Sequence, residues 1–168
     1  MDVQFRRVLV PREIRSLVVF DHKAFHNYPA DWFNRDAWMS LETWWMLAGQ
    51  RKIGCCAFER HGAKKDRRSR GFLYVASTGI LPAFQGKGFG RLMKRWQISY
   101  ALRLGFTRIA THTRRSNRAM IGLNRKFGFK ILHTIRNYYE SPSEAAVVME
   151  LRLPRQSRAG SRVLPAPM

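Results

Sequence analysis

The sequence is short of acid. Its 168 residues hold 11 Asp and Glu against 31 Lys and Arg, a formal net charge of +20. That shortage excludes an acidic disordered tail and argues against a carboxylate metal cluster. It favours a negatively charged partner: nucleic acid, an anionic membrane surface, or a phosphorylated small molecule. Cysteine is nearly absent too. Cys55 and Cys56 are neighbours, and in a strand they face opposite ways, which argues against a structural disulfide between them. A disulfide scaffold is excluded, and no second Cys or His pair offers zinc-ligand spacing, so no metal is expected. No apolar run approaches the roughly 18 residues of a membrane span, and no apolar leader follows Met1 to Arg7. These absences read as a soluble protein of a reducing cytoplasm.

What is present is ordinary globular material, 45% apolar, in a length suited to one domain. The charge imbalance is concentrated. From Arg67 to Tyr139 no carboxylate occurs, while five of the acids (Asp21, Asp31, Asp36, Glu42 and Glu59) lie between Asp21 and Glu59. A basic run, Arg60 to Arg70, reads as a solvated loop. The stretch after residue 153 holds arginines among Pro, Ser, Gly and Ala, and reads as a basic disordered tail, 154–168, behind a domain of residues 1–153.

Hydrophobic spacing orders the domain. Val3 to Val10 reads as a strand, with Val3, Phe5, Val8 and Val10 as core candidates. Pro11 opens a helix through about His26, and Asp31 caps a second, short helix carrying Trp32, Phe33 and Trp38. Thr43–Ala48 and Ile53–Glu59 form a hairpin around Gly49. Phe72–Leu81 is a further strand, and Leu92 to Leu104 a long amphipathic helix stopped by Gly105. Phe106–His112 is a strand. Ser116 or Asn117 caps a helix ending at Gly128, with Met120, Ile121 and Leu123 buried, and two strands follow. The alternation argues for α/β layering.

The strongest chemical signal is the turn Ile80-Leu81-Pro82-Ala83-Phe84-Gln85-Gly86-Lys87-Gly88-Phe89-Gly90-Arg91. Strand, glycine turn and helix follow directly, so backbone can approach a ligand closely and free N–H groups at the helix start can receive a phosphate. Lys87 and Arg91 add charge. The turn does not match a P-loop, because Gly86-Lys87 is followed by Gly88 rather than Ser or Thr. Nor is it a dinucleotide fingerprint: the last glycine interval is wrong and no acid follows before Glu140.

The pattern Gln-x-x-Gly-x-Gly over Gln85–Gly90 resembles the pyrophosphate loop of the GNAT N-acetyltransferases. Asn117 through Leu123-Asn124-Arg125-Lys126-Phe127-Gly128-Phe129 resembles that family's second signature. The resemblance is strong over Tyr74 to Ile131. It implies an α/β fold with a central mixed, mostly antiparallel twisted sheet of about seven strands. Helices would cover both faces, and the two central strands would splay apart. It also implies acetyl-CoA as cosubstrate, no metal, and direct attack of a primary amine on the acetyl carbonyl in a ternary complex. Carried over, Ile80, Leu81, Gln85, Gly86, Lys87, Gly88, Phe89, Gly90, Arg91, Asn117 and Asn124 would bind the cosubstrate, with Thr78 near the thioester.

The chain departs from its relatives at two chemical positions. Many carry a Tyr where this chain has Asn124, and that Tyr protonates the leaving thiolate; an amide cannot do so. Many also carry a Glu on the strand before the loop, and Tyr74 to Ile80 holds none. A thiol whose pKa is about 8.5 can leave as a thiolate in a positive site. Candidate proton-handling residues are Asn124 or Thr78 ordering a water, His112, and Tyr138 or Tyr139. Two other readings stay open: a non-catalytic CoA-binding module, and an acetyltransferase that also associates with nucleic acid or ribosomes. A homodimer is compatible with the sequence.

Overall fold

A computed structural model describes residues 2–62 and 71–154. Most of the basic run at 60–70 and nearly all of the tail at 154–168 lie outside the described residues. The elements in chain order are β1 (Val3–Arg7), α1 (Ile14–Ala24), a 3-10 turn (Pro29–Asp31), α2 (Arg35–Ser40), β2 (Glu42–Ala48), β3 (Arg51–His61), β4 (Phe72–Ile80), a second 3-10 turn (Pro82–Phe84), α3 (Phe89–Arg103), β5 (Arg108–Arg114), α4 (Arg118–Lys126), β6 (Lys130–Tyr139) and β7 (Glu144–Arg152).

The strands form one sheet in the order β1-β2-β3-β4-β5-β7-β6. Every pairing is antiparallel except β4 with β5. Both faces are covered. Leu17, Phe20 and Trp38 from α1 and α2 pack on Trp45, Cys55 and Ala57. Met93, Tyr100 and Ala101 from α3 pack on Met46, Cys56, Phe58 and Val75. Cys55 and Cys56 therefore sit in different cores, both as free thiols, which is the period-2 alternation of a strand.

The parallel pair is the decisive feature. β4 and β5 are in register only at Leu73–Ile109, Tyr74–Ala110 and Val75–Thr111. Directly beyond Val75 the register of β4 on β3 shifts, so that Ala57 faces Ser77, Phe58 faces Val75, and Ala76 is left without a partner. A bulge bends its strand and strengthens the local twist. β4 thus turns away from β5 and opens a gap in the middle of the sheet.

Several expectations change at element ends. The first helix starts at Ile14, not Pro11, which lies in the preceding turn. Val10 is consequently exposed, while Val8 is buried. The short second helix is capped by Asn34, whose Oδ1 accepts from the Ala37 N–H at 2.8 Å; Asp31 instead ends the 3-10 turn. On α3 the apolar pattern misleads: Leu92 and Leu104 are exposed, and Lys94 and Gln97 point inward with Met93, Tyr100 and Ala101. On α4, Met120, Ile121 and Leu123 are half-buried and Asn124 is the buried residue.

Candidate active site

The gap between β4 and β5 opens into a cavity of about 610 Å³. Its floor is Val75–Thr78 of β4 and Thr111–Arg114 of β5. One wall comes from the segment after α1 (Phe25, Tyr28, Asp31, Trp32 and Phe33), the opposite wall from Tyr138 and Tyr139 at the end of β6, and Asn117, Met120 and Lys94 close the far side. Of the residues offered as proton handlers, Thr78, His112 and Tyr138 meet here, with Tyr139 beside them. Asn124 does not line the cavity. It is fully buried, with its Nδ2 donating to the Met149 sulfur at 3.7 Å and its Oδ1 unpartnered.

His112 is held among aromatics. The Tyr74 hydroxyl is hydrogen-bonded to its Nδ1. Tyr138 stands edge-on to the imidazole at 4.7 Å and Tyr139 lies tilted at 5.9 Å. The parallel register places residue 74 beside residue 110, so Tyr74 and His112 project to the same side of the sheet two positions apart. Burial lowers the His112 pKa, against a weaker opposing pull from Asp31, so the imidazole is neutral at physiological pH. Burial raises the Tyr74 pKa, so that hydroxyl keeps its proton. A neutral imidazole touching a protonated phenol makes a relay able to accept a proton from a bound amine. Tyr74 was missed in the sequence because its partner is 38 positions away.

The acids that could have made the pocket anionic are largely committed. Asp31 is bound bidentately by Arg114 at 2.7 and 2.8 Å. Glu42 is taken by Arg60 and the Tyr100 hydroxyl, Glu59 by His61. Asp21 accepts from the Phe33 N–H at 2.8 Å, and burial pushes its pKa up to about 6. Asp36 and Glu42 do not reach the cavity.

At the other end of β4 the glycine turn runs into α3. Gly86 and Gly88 take φ of +72° and +88°, where L side chains are strained. The N–H groups of Gly86, Lys87 and Gly88 donate to no backbone carbonyl among the described residues, and Phe89 and Gly90 form the first turn of α3. The turn is braced from within. Gln85 Nε2 donates to the Ile80 carbonyl at 2.9 Å and Lys87 Nζ to the Ala83 carbonyl at 2.9 Å. The Leu81 N–H donates to the Ile53 carbonyl at 3.0 Å, tying the end of β4 to β3. Arg91 stands exposed one residue beyond Gly90. Asn117 caps α4, its Oδ1 accepting from the Met120 N–H at 3.1 Å. Thr78 Oγ1 accepts from Gln97 Nε2 at 2.8 Å.

The model of the acetyltransferase (GNAT) family matches residues 12–129. The chain belongs to the GNAT family. N-alpha-acetyltransferase 50 of Danio rerio is 32% identical over 110 residues, 63% of this chain and 62% of that protein. The probable N-acetyltransferase san of Drosophila melanogaster is 29% identical over 99 residues, 57% of this chain and 50% of that protein. The chain thus matches less than two thirds of the length of these relatives. Among solved structures, the ribosomal-protein-S18-alanine N-acetyltransferase from Escherichia coli superposes with a TM-score of 0.77 at 18% identity, over 97% of this chain and 99% of that one. Arabidopsis thaliana Naa50 in complex with the bisubstrate analogue CoA-Ac-MVNAL gives 0.77 at 20%, over 91% and 100%. The splayed seven-stranded sheet is therefore the GNAT fold.

The residues present fit CoA. A glycine turn whose N–H groups at Gly86, Lys87 and Gly88 donate to no backbone carbonyl among the described residues follows β4, and the gap beside Val75–Thr78 of the same strand holds the Tyr74–His112 pair. Two buried polar atoms, Gln97 Oε1 on the side chain that binds Thr78 and Asn124 Oδ1 outside the cavity lining, have no partner. Such atoms are costly unless something satisfies them. Among the described residues no group of His, Cys, Asp or Glu could hold a metal ion.

Proposed function

We propose that this GNAT protein transfers the acetyl group of acetyl-CoA to the α-amine of a peptide. The reading rests above all on the gap between β4 and β5, which opens beside the neutral Tyr74–His112 relay on the same strand, β4, that ends at the glycine turn. The amide groups of Gly86–Gly90 and the charge of Arg91 would hold the pyrophosphate. The backbone of Thr78 to Leu81 and the side chain of Asn117 would orient the arm. Holding amine and thioester together in the gap provides much of the acceleration.

The chemistry of the relay selects the amine. A lysine-type ammonium has a pKa of about 10.4, too high for a depressed imidazole to deprotonate readily, whereas a peptide α-amine has a pKa of about 7.7–8.0 and is part neutral already. Of the acids lining the cavity Asp31 is neutralised by Arg114, which leaves Asp21, Glu59 and Glu140 for a polycationic acceptor. The walls offer Phe25, Tyr28, Trp32, Phe33, Tyr138 and Tyr139, which suit an uncharged first side chain. The named relatives fit this reading.

The test is thiol release from acetyl-CoA across peptides with free amino termini, free lysine, polyamines and small arylamines. Turnover confined to the peptides, with the acetyl group located on the α-nitrogen by fragmentation mass spectrometry, is the expected result. Turnover on polyamines but on no peptide would overturn the choice of acceptor. CoA binding without turnover on any amine would favour a non-catalytic module.

A further inference from the structure

Lys94 breaks the pattern of its helix. On α3 the aliphatic Leu92 is turned to solvent while Lys94 is 1% exposed and faces the sheet. A lysine buried to that extent normally has an anionic partner. None stands within ion-pair distance among the described residues; its ammonium lies over the Phe129 ring, 5.1 Å from the centroid. The titratable group facing it is Cys56 on β3, whose thiol burial pushes up to about 12 and so keeps neutral. Burial without an acid pulls Lys94 down to about 8. Local rules broken in this way mark function more often than accident.

Its position says what the charge is for. Lys94 lines the cavity at the gap, together with Thr78 and Asn117. One turn further along α3, Gln97 binds Thr78 and leaves its Oε1 unpartnered. Phe129, under the ammonium, donates its N–H to the carbonyl of Asn124 at 3.1 Å, so a single residue links Lys94 to the position where many relatives carry a tyrosine. A cation kept in a dry site without its anion is preorganised for negative charge that arises later.

We propose that Lys94 receives the leaving sulfur of CoA, as the cation that Asn124 cannot be. The inference rests on the acetyl-transfer reading above. As the amine nitrogen bonds to the acetyl carbon, the carbon–sulfur bond breaks and its electron pair goes to sulfur. Lys94 Nζ pairs with that sulfur as a thiolate, which takes its proton from solvent. The proton shed by the amine leaves through the Tyr74–His112 relay, so the charges balance.

Binding and titration of CoA test this without turnover. Calorimetry first asks whether the wild-type protein binds CoA; no binding would overturn the acetyl-CoA reading itself. The ultraviolet absorbance of the thiolate then follows the bound thiol with pH. A nearby cation raises its thiolate fraction at a given pH about tenfold over free CoA, whose thiol resembles a free one of pKa about 8.5. In Lys94→Met that excess disappears, while desulfo-CoA binds as it does to wild type. Turnover falls about 10- to 100-fold in kcat with little change in the KM of the amine, and Lys94→Arg recovers the thiolate excess. If CoA binds to wild type but its thiol titrates as in free solution, Lys94 does not serve the sulfur. That result needs no variant, so it stands even if Lys94→Met fails to fold.

Discussion

Arg114, at the end of β5, grips Asp31 in the 3-10 turn after α1 with two parallel hydrogen bonds of 2.7 and 2.8 Å. The same guanidinium reaches Glu144 at 3.3 Å and the carbonyls of Pro142 and Glu140 at 3.0 Å. It lies between the rings of Tyr28 and Tyr139 at 4.4 and 4.3 Å. One buried side chain therefore ties together both walls of the acceptor pocket. All five donors of an arginine fit this use; a lysine would satisfy only part of it.

Removing that tie leaves Asp31 and Glu144 without their cation. Arg114→Met is expected to destabilise the fold by about 3 kcal/mol, within the range for breaking a buried pair. Urea unfolding measures it. In Arg114→Lys, which keeps the charge and loses the fork, the KM of the peptide is expected to rise more than kcat falls, because the walls loosen while Tyr74 and His112 stay in register. An equal loss in both parameters would place Arg114 in the chemistry instead.

The relay predicts a pH limb. In the proposed reaction the neutral form of His112 accepts the proton, and burial lowers its pKa. Activity should therefore rise with pH through an apparent value below the usual 6.5 or so of histidine and stay level above it. Tyr74→Phe keeps the ring and removes the hydroxyl from Nδ1. It is expected to lower kcat about 10- to 100-fold with little change in CoA affinity, and kcat/KM profiles of both proteins will show it.

Asp21 predicts a stability difference of opposite sense to that of most carboxylates. Its pKa is pushed up to about 6 in the folded protein by burial, above the roughly 3.9 of an unfolded aspartate. The folded state therefore holds the proton more tightly, so Asp21's contribution is complete below about pH 4 and is lost as pH rises through about 6. Asp21→Asn keeps an acceptor for the Phe33 N–H and carries no charge. Relative to wild type it should gain on the order of 1–3 kcal/mol between pH 4 and pH 7, measured by denaturant unfolding at each pH.

Three substitutions separate the turn from the cap. A Cβ at Gly88 meets no atom within 4 Å, so Gly88→Ala costs only the left-handed backbone, about 1 kcal/mol. Gly88→Glu adds a carboxylate where phosphate is expected, and CoA binding measured by calorimetry should be lost. Asn117→Ala removes the cap of α4 and should cost about 1 kcal/mol in thermal or urea unfolding.

Much of this was legible in the chain because it depends on neighbours in sequence. The order of elements follows from hydrophobic period. The opposite faces of Cys55 and Cys56 follow from strand alternation, and the cap of α4 and the glycine turn from residue types at fixed offsets. Where a local signal competed with packing, packing won. Asn34 rather than Asp31 capped α2, since Asp31 has a stronger partner in Arg114, and α3 turned Lys94 and Gln97 inward although Leu92 was available.

The amino-acid sequence by itself determined the GNAT signatures, the glycine turn and the scarcity of acid. Tertiary structure alone decided which side chains meet. Tyr74 and His112 lie 38 residues apart, Asp31 and Arg114 83. They meet because β5 lies parallel to β4 in one register and a bulge at Ala76 parts the two strands beyond Val75. No local propensity encodes a register between strands separated by a helix. It is set by which faces the whole sheet buries, and the placement of the relay follows from it.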